Sequence, residues 1–318
     1  MTSVSTPELV TAACRAGIIG AFPTHNAADP DHLRSWLWQI RRDLDPQAAP
    51  VAANLVVHRS NRRRDADLAV IIEHGVELVI TSVGSPAPVI PALHDAGVPV
   101  FADVASLDQA SRALDAGADG LILLTAGAGG QTGWANPFAF VRAIRARYDG
   151  SLVLAGGVGD GHAILSAQVL GADFVYLGTR FIATEQSGAA DDYRAALVAA
   201  SLDDVRLSDR VGGIPASLLA CWLDAQDRLD DPAAQDRSDT STGFAQERLL
   251  ANRSAWSAGH SVSAVRRVLA VDGLVDELFA EYSAGIRDFR QALGGFDERC
   301  SSASTRPADN QPGGVRRD

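Results

Sequence analysis

Seven short apolar runs, separated by stretches of helical character, dominate the first 185 residues of this 318-residue chain. They fall at residues 18–23 (IIGAFP), 51–57 (VAANLVV), 77–84 (ELVITSVG), 98–104 (VPVFADV), 120–127 (GLILLTAG), 151–158 (SLVLAGGV) and 174–181 (FVYLGTRF). Most are continuously apolar, the pattern of parallel strands covered on both faces. Between them, Ser106-Leu-Asp-Gln109 reads as a capping box that starts a helix running to Ala116 and stopping at Gly117. A second helix, 162–170, stops at Gly171, and both glycines are followed by Ala-Asp and a strand. Repeated βα units of this size predict a (β/α)8 TIM-type barrel, with an open doubly wound sheet as the alternative. A barrel needs eight strands, and the missing one is the first, because Ser3-Val-Ser-Thr-Pro7 reads as a loop and cap entering a helix at 8–16. The expectation is a barrel whose first strand is truncated or missing, or is replaced by another segment.

The rhythm changes after Thr184. Residues 1–185 are assigned to the barrel and 186–284 to a helical lid subdomain. Within the lid, helices are expected at 189–200, 244–255 and 263–284. A turn and helix are expected in 205–221 (with VGGIPASLL), and an exposed polar loop at 224–242. From residue 294 to 318 the composition is that of a disordered tail.

Composition removes whole classes of chemistry. All 28 Lys+Arg residues are Arg, which excludes Schiff-base aldolases, pyridoxal-phosphate enzymes and a Walker lysine. A net charge of −11 argues against tracking a nucleic-acid backbone. Cys14, Cys221 and Cys300 are isolated, so neither a disulfide framework nor a thiolate metal site is indicated. The first residues have no basic and apolar regions of a signal peptide, and no apolar run approaches the roughly 20 residues that span a bilayer. A cytoplasmic enzyme of small molecules is expected, with no membrane or nucleic-acid partner and no metal; the oligomeric state, homo-oligomer included, stays open.

In parallel α/β folds the reacting groups sit at the carboxyl ends of strands. Three such ends are rich in glycine: Ala126-Gly-Ala-Gly-Gly-Gln-Thr-Gly133, Ala155-Gly-Gly-Val-Gly-Asp-Gly161 and Leu177-Gly178-Thr179. The last two suit a phosphate held by backbone N–H groups and a helix N-terminus, with tight βα turn geometry as the plainer explanation. The first offers one polar side chain, Gln131.

Taken together, AGAGGQTG, LAGGVGDG, LGTRFIAT and the later WSAGHSV (256–262) resemble the nitronate monooxygenase, or 2-nitropropane dioxygenase, family of FMN-dependent TIM barrels. The likeness runs from Met1 to about Tyr282 and extends to reductases on the same scaffold. It implies FMN contacts at Asn54, at Ala128, Gly129 and Gly130 beside the ring, and at Gly156, Gly157, Tyr176, Leu177, Gly178 and Thr179 around the phosphate. It also implies that Met1 takes the place of a methionine that touches the flavin in relatives.

The family's catalytic His falls at Gln131, and an amide cannot act as a general base near neutral pH. Oxidation of an already anionic nitronate needs no such base, so Gln131 is expected to hold a nitro or carbonyl oxygen. His25 and His58, each following a strand, are the substitute catalytic candidates. His58 is preferred because it comes four residues after Asn54; His260 ranks behind both, and Trp134 is expected to wall the pocket. The arginines between Arg59 and Arg64 are read as a solvated helix start. The resemblance implies oxidation of alkyl nitronates with O2. The alternatives are an NAD(P)H-dependent reductase of an enoyl-CoA or quinone, a flavin-binding protein without turnover, and a flavin-free phosphosugar barrel.

Overall fold

The computed structural model describes residues 1–229 and 243–304, with side chains to residue 293. Its strands are β1 (Gly20–Pro23), β2 (Val51–Val56), β3 (Leu78–Ser82), β4 (Val100–Val104), β5 (Gly120–Leu124), β6 (Gly130–Gln131), β7 (Ser151–Ala155), β8 (Phe174–Tyr176), β9 (Val205–Ser208) and β10 (Ala216–Leu219). Seven of them form one curled parallel sheet in the order β1-β2-β3-β4-β5-β7-β8. The other three make a small antiparallel sheet in the order β6-β10-β9. The fold is the TIM-type barrel expected, with no eighth parallel strand among the described residues.

The continuous apolar runs are explained by burial on both faces. Leu121, Ile122 and Leu123 are all buried; the two leucines pack outward against helices, while Ile122 joins Ala52, Ile80 and Val153 inside the barrel. Truncating any one of them to Ala would cost about 2–5 kcal/mol.

The repeated Gly-Ala-Asp connection also has a physical reason. Helices Leu107–Asp115 and Gly161–Leu170 end at Gly117 and Gly171, both with positive φ. The aspartate that follows then accepts a hydrogen bond from the neighbouring strand: Asp119 from Val100 N, and Asp173 from Leu152 N, each at 2.8 Å. Glu77 does the same for Val51 N at 3.1 Å. Each carboxylate thus satisfies a backbone donor at the edge of the barrel, where an orphaned one would be costly. Ser106 caps its helix as expected, accepting from Gln109 N, while Gln109 Oε1 accepts from Ala105 N.

Edge strands β1 and β8 face one cavity. Helix Pro7–Arg15 and the long helix Val271–Ser304 come together over this seam, where Leu9, Ala13, Leu274, Leu278 and Phe181 share a buried cluster.

Three local expectations are corrected. Residues 205–219 form the strands β9 and β10 rather than a turn and helix, because β10 finds partners in both β9 and β6 and pairing overrides local preference. The region 186–284, expected as a helical lid, is therefore mixed, with helices Asp191–Ala199, Ala220–Leu229 and Gln246–Ala251 beside the two strands. Residues 224–229 of the expected loop are helical, and 230–242 lie outside the described residues. Likewise, helix Val271–Ser304 continues through 294–304, read as tail from composition, while 305–318 lie outside the described residues.

The long helix docks where a side chain is missing. A Cβ on Gly161 would stand 2.0 Å from Tyr282 N and 2.5 Å from Leu278 O. Gly161→Ala is therefore expected to destabilise the protein by about 1–3 kcal/mol. On the same helix Gly273 has nothing within 4 Å of an added Cβ, so Gly273→Ala should be neutral or stabilising by up to about 1 kcal/mol. Urea denaturation of the two variants checks the contrast.

Candidate active site

The carboxyl ends of the parallel strands open on a cavity of about 840 Å³. Its lower wall is apolar, formed by Leu78, Ile80, Phe101 and Ile122 from the barrel interior. One residue pair further along the strands the same inward stripe turns polar, with Asn54, Ser82, Asp103 and Tyr176. Asn54 Oδ1 accepts a hydrogen bond from Ser82 Oγ at 2.7 Å. An apolar chamber with a few converging polar groups is the usual form of a small-molecule site.

The glycines after β5 have a different use from the one their composition suggests. Gly127 O accepts from His260 N at 2.9 Å, and Gly259 N donates to Thr179 Oγ1 at 2.9 Å. A Cβ on Gly129 would lie 2.7 Å from Gly259 N, and one on Gly259 would lie 2.4 Å from Gly127 O. Backbone therefore packs on backbone where the lid meets the barrel. The same turn carries Gln131, held in register with Ala216 of β10, to the cavity wall with Ala128, Gly129 and Gly130.

The remaining predicted contact positions line the cavity too: Gly156, Gly157, Tyr176, Leu177, Gly178 and Thr179. Gly157 has φ +74° and nothing within 4 Å of an added Cβ, and at Gly178 an added Cβ would meet only the Met1 side chain, its Sδ at 3.5 Å. Backbone there faces open space. The N-terminus of helix Gly161–Leu170 is already served, since Asp160 accepts from Ala163 N at 2.8 Å and Glu281 from Gly161 N at 3.0 Å. Buried Arg180 donates to Gly159 O at 2.7 Å and pairs with Glu277 at 3.0 Å, bracing the loop. The glycine turns themselves, not that helix end, are left to meet an anion.

The two histidines part company. His25 lies on the cavity wall, buried, with Nε2 3.1 Å from Thr2 Oγ1. Burial, the Met1 amino group, Arg253 and Arg63 together push its pKa down to about 3, so it is neutral and a weak base. His58 is not on the cavity wall. Its Nδ1 is 2.7 Å from Ser60 Oγ, and its ring stands edge-on to Phe244 at 5.3 Å. Burial, then Arg59, lowers its pKa as well. Position 58 shares the parity of Asn54, but β2 ends at Val56 and the chain turns there, so parity no longer aims the side chain.

Trp134 is 84% exposed and walls nothing. Exposed His260 is used through its backbone N–H. Arg63 is a clamp, donating to Ala27 O and Ala28 O and pairing with buried Asp67 at 3.0 Å, in keeping with a structural reading of that arginine run.

Two cavity residues escape sequence reasoning. Arg253 reaches the wall from the lid and donates to His25 O at 2.9 Å; nothing in its local sequence marks it. Asp103, inside VPVFADV, carries a signal: an acid interrupts an otherwise apolar strand. Among the described residues, no group of His, Cys, Asp and Glu is arranged to hold a metal ion, and no helix is long and apolar enough to cross a membrane.

A barrel of this kind, with the segment at Gly259–His260 pinned to the glycine turn beside a cavity at the strand ends, belongs among the (β/α)-barrel enzymes. The chain is a member of the nitronate monooxygenase family, which it matches over residues 47–281, and is accordingly an oxidoreductase. It is 26% identical over 340 aligned residues to the nitronate monooxygenase of Paraburkholderia phytofirmans, spanning 92% of this chain and 93% of that one. FabK from Thermotoga maritima has a similar structure, with TM-score 0.78 and 26% identity over 92% of this chain and 93% of its own. The nitroalkane oxidase of Streptomyces ansochromogenes shares the fold with TM-score 0.75 and 24% identity, covering 90% and 94% of the two chains.

The buried neutral His25 sets an acid limit on stability. Its folded pKa lies below its unfolded value, so its contribution is complete above about 6.5 and is lost as pH falls toward about 3. Relative to His25→Gln, the wild type should lose up to about tenfold in its folding equilibrium per pH unit over that window. Urea titrations at about pH 7 and about pH 5 check this; parallel changes in both proteins would refute it.

Proposed function

We propose that this protein is an FMN-dependent oxidoreductase that uses O2 to oxidise alkyl nitronates or related carbanion-like small molecules. The observation that carries the reading is the cavity edge at Gly157 and Gly178, where bare backbone meets open space beside Tyr176 and Leu177. That is the form a phosphate-bearing cofactor requires, because anions are held by closely approached backbone N–H groups. The residues present fit FMN, and with no lysine in the chain its phosphate depends on backbone donors.

When bound, FMN supplies a two-electron acceptor whose reduced form reacts with O2. This chain's residues do the rest. Gly156, Gly157, Gly178 and Thr179 would hold its phosphate end, and Ala128, Gly129 and Gly130 would border its ring. Asn54 offers its amide from β2. Gln131 stands at the junction of barrel and lid, where its amide hydrogen-bonds a nitro oxygen and orients the substrate. The β6-β10 pairing and the Gly127–Gly259 contact keep the lid over the chamber and limit water.

The purified protein is expected to be yellow with stoichiometric FMN and to consume O2 with propyl-2-nitronate. Gly178 has ordinary φ and room for a side chain in the folded chain. Gly178→Val should therefore fold normally yet emerge colourless, and retained flavin would remove the phosphate assignment. Bleaching by NADH or NADPH with no response to nitronate would instead favour the reductase reading, and a flavoprotein inert to both would be a binding protein.

A further inference from the structure

Among the described residues, the buried side-chain atoms on the cavity wall without a hydrogen-bond partner are His25 Nδ1 and Asp103 Oδ1. His25 is held neutral, as above. Asp103 is different in kind: a carboxyl on a rigid barrel strand, next in the inward stripe after Phe101, paired in register with Ile122. No arginine pairs with it among the described residues. A carboxyl retained there for stability alone would be expected to have an ion partner or a full set of hydrogen bonds.

Its surroundings aim it instead. Ser82 Oγ donates to Asn54 Oδ1, which turns the Asn54 amide N–H groups away from Ser82 and toward Asp103, where they support the carboxylate. The chain Ser82–Asn54–Asp103 thus crosses three adjacent strands and leaves Oδ1 of a carboxyl on the cavity wall without a partner. The charged and titratable groups around it are the Met1 amino group and the Tyr176 hydroxyl, while β3 and β5 present Ile80, Ser82, Ile122 and Leu124.

We propose that Asp103 is the proton acceptor of this site, taking the proton from the carbon that bears the nitro group of a neutral nitroalkane. The C–H bond breaks, its electron pair stays on the substrate as the nitronate, and the proton ends on the free Asp103 oxygen. No electron is transferred in this step. Asn54 and Ser82 are positioning residues. The proposal rests on the reading of the site as one for nitro compounds, and it supplies the base that Gln131 cannot be.

Burial drives the Asp103 carboxyl up to about 7, against the hydrogen bond from Asn54 and the positive Met1 amino group. An acceptor in that range is ionised and basic near neutral pH. Once ionised it repels an anionic nitronate, so the two substrates should respond to pH in opposite directions.

The test uses the flavin-loaded protein and two readouts. Under anaerobic conditions in D2O, NMR follows hydrogen exchange at the α-carbon of nitroethane; wild type should catalyse it, and Asp103→Asn should lose about 100-fold or more. In air, kcat/KM for nitroethane should rise with pH and level off above about 7, while that for ethyl nitronate falls. The ratio of the two should drop about 100-fold in Asp103→Asn. Ser82→Ala, which frees Asn54, should move the nitroethane limb to higher pH, a shift that a packing defect alone would not produce. Absence of catalysed exchange in wild type, exchange unchanged in Asp103→Asn, or a flat nitroethane profile overturns the proposal. Exchange that depends on Asp103 without O2 uptake from nitronate would uphold it and refute the oxidase reading, so the two failures are distinct.

Discussion

The site depends on one backbone-to-backbone contact, between the turn at Gly127–Gly130 and the segment Ala258–His260. Three elements meet there: the end of β5, the loop after β8 through Thr179, and the lid. A hydrogen bond alone would not fix their relative position, but hard-sphere contact does. With Gly259 2.4 Å from Gly127 O at the point a Cβ would occupy, neither chain can carry a side chain and neither can move closer. The lid is thereby referenced to the barrel through atoms that have no rotamers. Everything placed on that turn inherits the precision, including Gln131, whose register with Ala216 ties the turn after β5 into the small antiparallel sheet.

Legibility in the sequence followed the reach of the interactions. Strands buried on both faces announce themselves as apolar runs, and helices announce their ends through Ser106, Gly117 and Gly171, because these causes are local. The glycine turns were equally visible, since a backbone that must come close to something has few other residues to use. What they approach was not visible. Gly127 and Gly129 meet a segment about 130 residues away, while Gly157 and Gly178 leave their backbone bare toward the chamber in the way their composition suggests.

The misreadings have the same origin. Nearness to Asn54 in sequence favours His58 only while the strand continues, and β2 stops at Val56. Trp134 follows the right turn in sequence but leaves it on the solvent side. Residues 205–219 look helical until β6 and β9 supply edges for β10. Arg253 could not be found at all, because only the fold carries it from the lid to His25. Asp103 was within reach of sequence reasoning: on a strand whose neighbours are apolar on both faces, a single acid has to be accounted for.

That accounting bears on how such a barrel tolerates a charge. A carboxylate in an apolar interior costs several kcal/mol unless it is paired or hydrogen-bonded. A direct arginine partner would stabilise the charge, and it would also depress the carboxyl and occupy the oxygen now left without a partner. Here the hydrogen-bonded support is an amide held in place by a hydroxyl, with the positive Met1 amino group nearby but not paired to it, so the group is steadied without a salt bridge. Burial raises its proton affinity while Asn54 limits the rise, which leaves the carboxyl balanced near neutrality. The same low-dielectric chamber acts in the same direction on Tyr176, whose hydroxyl is held firmly protonated by burial and by Asp103. One wall of the cavity thus keeps a proton that the other is free to exchange, a division that follows from where each side chain stands on its strand.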